Sequence, residues 1–161
     1  MVLGDALAVA LLGIRGFTEE DFARSHPGGR LGRRLLLHVR DVMVAEADCP
    51  RCHQSATLTE ALVEISSKGL GMVAVVNDEE ELCGIFTDGD LRRTFATGID
   101  IRDVRIESVM TLNPATTTRD ALAVNAVSVM QELKITSLPV ISNKKLDSVV
   151  TMHALLAAGV V

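Results

Sequence analysis

Apolar positions along this chain fall into two rhythms, one of period about 3.6 and one of β-branched runs, and the rhythms alternate. The run LGDALAVALL at 3–12 predicts a short helix, ended by Gly13 or Gly16. Thr18-Glu19-Glu20-Asp21-Phe22-Ala23 predicts a second helix start, with Thr18 as the cap. Ser25-His26-Pro27-Gly28-Gly29-Arg30-Leu31-Gly32 then breaks regular structure and predicts a shaped loop. Further on, Leu58, Ala61, Leu62 and Ile65 return to helical spacing behind Thr57-Leu58-Thr59-Glu60, a capping box. Val73-Ala74-Val75-Val76 predicts a strand, and Asn77-Asp78-Glu79-Glu80-Glu81 a polar turn. A second strand ending at Thr87 and a closing helix from Asp90 follow.

The same order then repeats at an offset of 64 to 67 positions. Val39-Arg40-Asp41-Val42-Met43 recurs as Ile106-Glu107-Ser108-Val109-Met110, and Ala61–Ile65 as Ala126–Met130. The strand Val73–Val76 recurs as Leu138–Ile141, and Gly84-Ile85-Phe86-Thr87 as Ser148-Val149-Val150-Thr151. The second closing helix is expected from about His153. Each unit reads helix, strand, strand, helix behind a short apolar lead segment ending in Met. One unit of about 60 residues buries little surface alone, so two units are expected to share a core. The division is 1–37, then 38–98, then 99–161.

Composition narrows the function. Hydrophobic residues are 48% of 161 and charged residues 23%, enough for a core. With no Trp or Tyr and four Phe, that core is aliphatic, and Met72 and Met130 read as filler within it. A net charge of −5 and the lack of stacking aromatics speak against nucleic acid. No apolar run approaches the ~20 residues that cross a bilayer. The N-terminal stretch lacks a basic region, carries Asp5 and reads as an amphipathic helix rather than a signal peptide, which places the chain in the cytoplasm. Cys49, Cys52 and Cys83 make an odd count, against a disulfide framework. Cys49-Pro50-Arg51-Cys52-His53 matches the haem-attachment pattern, but it lies in a polar stretch and reads as chance; with His53 the sole neighbouring ligand, no metal site is expected.

The repeat, with its closing Gly84-Ile85-Phe86-Thr87-Asp88-Gly89-Asp90, resembles the CBS motif, and two copies over 38–161 resemble the CBS pair called a Bateman module. That resemblance implies an α/β fold of tandem motifs, small sheets packed against helices about a pseudo-twofold axis. GDALAVALL, GFTEEDFARSHPGGRLGRRLL and GIFTDGDLRR are similar to the D-arabinose 5-phosphate isomerase family, which joins a sugar isomerase (SIS) domain to a CBS pair. Members convert D-ribulose 5-phosphate to D-arabinose 5-phosphate for Kdo, a lipopolysaccharide sugar. On this resemblance, 1–37 is the exit of the SIS domain, and His26 is an acid/base histidine whose sugar pocket is absent from these residues, so no catalysis is expected of them.

The resemblance also implies a composite cleft. Asp90 would accept ribose hydroxyls, while Thr87 and the helix start would face phosphate. The lead segment and first strand of the other unit, Met110-Thr111 and Thr136-Ser137-Leu138, would face them. Thr111, Thr136 and Ser137 supply hydroxyls, Leu138 an apolar wall, and Arg92 and Arg93 a reach to phosphate or carboxylate. The plainer reading is that Thr87 and Asp90 cap the closing helix and the arginines line a solvated face; both readings stand together. In the second unit Ala154 replaces the aspartate and cannot accept a hydroxyl, so one good cleft is expected, with His153 a surface or cap residue or, when protonated, a contact for phosphate. The effectors implied are CMP-Kdo, or AMP, ADP or ATP, with no cofactor. The expected partners are the SIS domain and further copies of the chain; the alternative is a ligand-independent oligomerisation module.

Overall fold

The structure is a computed structural model that describes residues 37–160. The helices expected at 3–12 and from Thr18, and the loop bearing His26, lie outside the described residues.

Strand β1 (Arg51–His53) precedes helix α1 (Leu58–Lys68). Thr57 caps α1: its hydroxyl accepts from Glu60 N, and the Glu60 carboxylate accepts from Thr57 N at 2.7 Å. Gly69, at φ +67°, ends the helix in the left-handed conformation. Strands β2 (Met72–Val76) and β3 (Leu82–Thr87) form an antiparallel pair, and β3 runs directly into helix α2 (Asp88–Ala96). Strand β4 (Thr111–Leu112), helix α3 (Ala123–Leu133), the pair β5 (Ser137–Ser142) and β6 (Lys145–Thr151), and helix α4 (Met152–Ala157) make the second half. The architecture is mixed α/β. One sheet has the order β1-β2-β3-β4 and the other is β5-β6.

Strand β1 was not legible in the sequence. Arg51–His53 carries no alternating pattern, and it becomes a strand by pairing parallel with β2 through Cys52↔Val75. The second half shortens the same feature to one bridge, Thr117↔Val140, also parallel.

All five β2 residues are buried because both faces are covered. Val73 and Val75 join Leu58, Ala61, Ile65 and Phe86 in a core under α1. Met72, Ala74 and Val76 pack with Leu146 and Val149 of β6, the layer that joins the two halves. A third core holds Ala126, Met130, Leu138, Val140, Val150 and Leu155.

The lead segments cross over. Val39 lies in the second unit's core beside Ala123, and its N–H donates to Ala121 O at 2.9 Å. Ile106 lies in the first unit's core beside Leu58, and its N–H donates to Ala56 O at 3.0 Å. Each is a single 3₁₀ turn, Val39–Asp41 and Ile106–Ser108. Each unit therefore completes its core with the first residues of the other.

Candidate functional site

The site grows from the junction of β3 and α2. Thr87 leaves the strand in extended conformation, and its hydroxyl accepts from Asp90 N at 3.2 Å. One oxygen of the Asp90 carboxylate, Oδ2, accepts from Thr87 N at 2.9 Å and from the Thr87 hydroxyl at 2.6 Å. This reciprocal box is the capping role read from the sequence.

The other oxygen, Oδ1, accepts from Arg93 Nη2 at 2.5 Å and from the Thr111 hydroxyl at 3.0 Å. Thr111 arrives from the second unit's lead segment, because β4 pairs with β3 at Ile85↔Thr111 and Gly84↔Leu112. Gly84 permits that approach: a Cβ there would stand 2.8 Å from both Thr111 O and Met110 Sδ. Met110 thus packs over Gly84, beside the site. The Asp90 side chain is 8% exposed. Burial, the largest single influence, pushes its carboxyl up, but the bonds from Thr87, Arg93 and Thr111 together outweigh it and hold the group below the ordinary aspartate value.

Of the expected site residues, the structure brings together Thr87, Asp90, Arg93, Met110 and Thr111. Arg92 turns away along α2, donating to Asp88 O at 3.3 Å. Leu138, expected as an apolar wall, is fully buried inside the second unit's core. Ser137 pairs with Thr151 across β5 and β6, and Thr136 O accepts from Met152 N at 2.8 Å. Both therefore stand by the second closing motif, their own unit's.

There Thr136, Thr151 and His153 line a cavity of about 340 Å³ with Gly69 and Leu70 of the first unit. Thr151 accepts from Ala154 N at 3.1 Å, repeating half of the box. Gly69 and Leu70 were missed from sequence. A helix-ending glycine carries no chemical signal of its own, and only the packing of the units sets it opposite Thr151.

The haem-like pattern dissolves in the fold. Cys49 is buried in the layer between the halves, whereas Cys52 packs toward the α1 core, where burial pushes its thiol up to about 11. The His53 ring meets Ser55 Oγ at 2.7 Å and Asp78 Oδ1 at 3.1 Å. The three cysteines are free thiols. Among the described residues no helix is long and apolar enough to cross a membrane.

Comparison with known proteins agrees with the repeat. The CBS domain family matches residues 39–97 and 101–160. Arabinose 5-phosphate isomerase KdsD of Pseudomonas aeruginosa is 51% identical over 161 residues, 99% of this chain and 49% of the isomerase. The chain spans about half the length of the curated relatives it matches. Two solved structures share the fold. CBSX2 in complex with AMP superposes with a TM-score of 0.66 at 22% identity, covering 76% of this chain and 95% of that one. The CBS domain pair of protein MJ0100, in complex with 5′-methylthioadenosine and S-adenosyl-L-methionine, gives 0.68 at 20% identity, covering 76% and 94%.

Proposed function

The chain belongs to the CBS domain family, and from that premise we propose that it is the regulatory CBS pair of an arabinose 5-phosphate isomerase, binding a ribonucleotide-type effector at the Thr87–Asp90 motif. One observation carries the reading: a buried, ionised aspartate sits where the closing helix of one unit meets the lead segment of the other. An effector held there touches the first unit's closing helix and the lead segment that enters the second unit, so its binding and the position of that segment are linked. AMP, 5′-methylthioadenosine and S-adenosyl-L-methionine, the ligands of the two structural neighbours, share a ribose with a free vicinal diol. CMP-Kdo carries the same diol together with a carboxylate suited to an arginine, and as the activated end product it is the natural feedback ligand. On this reading the full-length enzyme is a cytoplasmic aldose–ketose isomerase supplying Kdo for lipopolysaccharide. His26 then serves its SIS active site, and the CBS pair contacts that domain and further copies of itself.

The test is thermal unfolding of this chain with excess CMP-Kdo, CMP, AMP or ATP, repeated with Asp90→Ala. A ligand at ~100 times its dissociation constant adds about 2.7 kcal/mol, a rise of several degrees at roughly 2–4 °C per kcal/mol. A rise with one nucleotide that disappears in the variant supports the effector reading. No rise with any of them leaves an oligomerisation module, for which exposed Phe95 on α2 and Leu156 on α4 are the first candidate contacts.

A further inference from the structure

The Asp90 carboxylate is already full. A carboxylate offers about four acceptor positions, and Thr87 N, Thr87 Oγ1, Arg93 Nη2 and Thr111 Oγ1 occupy four. A ribose that donates to Asp90 must therefore displace a protein donor. The two bonds to Oδ2 belong to the helix cap, and losing them would unpair the start of α2. The two bonds to Oδ1 come from exposed side chains: Arg93 is 71% exposed, and Thr111 lies on the two-residue strand β4, which is exposed along its length.

Resting on the effector reading above, we propose that Thr111 and Arg93 are internal competitors of the effector, and that a vicinal diol takes their two positions on Asp90 Oδ1. The exchange conserves hydrogen bonds, two donors for two, so a ligand with a single hydroxyl leaves one position unfilled and binds less well. It also has a mechanical consequence. The Thr111–Asp90 bond ties the second unit's lead segment to the first unit's closing helix. Occupancy releases that tie and frees the Arg93 guanidinium for the ligand's phosphate or carboxylate. Thr111 is in this way both a specificity-determining residue and the point where occupancy reaches the second unit's lead segment.

The experiment is calorimetric titration of this chain and its Thr111→Val variant with AMP, CMP and their 2′-deoxy forms, beside a double-mutant cycle of thermal unfolding with Asp90→Ala and Thr111→Val. Removing the competing hydroxyl is expected to tighten ribonucleotide binding about tenfold, the worth of one hydrogen bond to a charged acceptor, and to tighten the 2′-deoxy forms less. The cycle, which needs no ligand, is expected to show the double variant losing less Tm than the two single variants together. Unchanged or weaker ribonucleotide binding by Thr111→Val overturns the competition. Additive losses in the cycle overturn the tie. Failure of both proteins to bind any of the four nucleotides overturns the exchange for a nucleoside monophosphate, the cycle then reports the tie alone, and the thermal test with CMP-Kdo and ATP decides the effector reading.

Discussion

The two closing motifs occupy equivalent places in the repeat and do different chemistry. In the first, Thr87 and Asp90 cap each other, and the carboxylate reaches on to Arg93 and Thr111. In the second, Thr151 caps the helix alone, and Ala154 returns nothing. The lead segments differ in step. Gly84 gives room to Thr111 O, whereas its counterpart Ser148 donates to Val44 O at 2.5 Å. Val44 N in turn donates to Val149 O at 2.9 Å, so the second unit ties down its incoming segment through strand-like bonds without a carboxylate. A closing helix therefore forms on the threonine cap alone, although α4 spans 6 residues and α2 spans 9. The fold does not require a buried aspartate at this position, and the one it has in the first unit is chemistry beyond what the helix start needs.

The comparison breaks most severely at Gly84. Gly84→Ala sets a methyl group against Thr111 backbone at a distance that side chains do not tolerate. The expected cost is about 2 kcal/mol, as for other overpacking changes, read as a fall in denaturant midpoint with an unchanged slope.

Next in size is Asp90→Ala, which converts the first motif into the second. The loss of the returned cap and of the bond to Thr111 is expected to cost about 1.5 kcal/mol at neutral pH. The pH dependence identifies its origin. Because the folded carboxyl lies below its ordinary value, its contribution is present above the unfolded aspartate pKa of about 3.9 and is lost as pH falls through the lower folded value. Denaturant melts of the parent and the variant should therefore converge in acid and diverge toward neutrality. A gap that stays constant with pH would assign the loss to packing.

The smallest effect runs the other way. Ala154→Asp supplies the missing half of the second box and is expected to stabilise by about 0.5 kcal/mol. Its sharper readout is stoichiometry: a second nucleotide equivalent in calorimetry would show that the carboxylate was all the second cleft lacked.

What the sequence by itself determined is local. The capping boxes at Thr57–Glu60 and Thr87–Asp90, the strands Met72–Val76 and Ser137–Ser142, and the repeat that relates them are written in nearest-neighbour patterns. Each element follows from residues within a turn or a strand's length of one another. The tertiary structure alone decided the partners. Val39 and Ile106 complete each other's cores, Arg51–His53 becomes a strand only against β2, and Leu138 sinks into a core instead of walling a cleft. Thr111 closes on a carboxylate 21 positions away. The physical reason is the repeat itself. Two similar units present similar surfaces to every incoming segment, so periodicity cannot say which copy receives it, and the choice falls to long-range packing and to whether a glycine or a side chain stands at the point of closest approach.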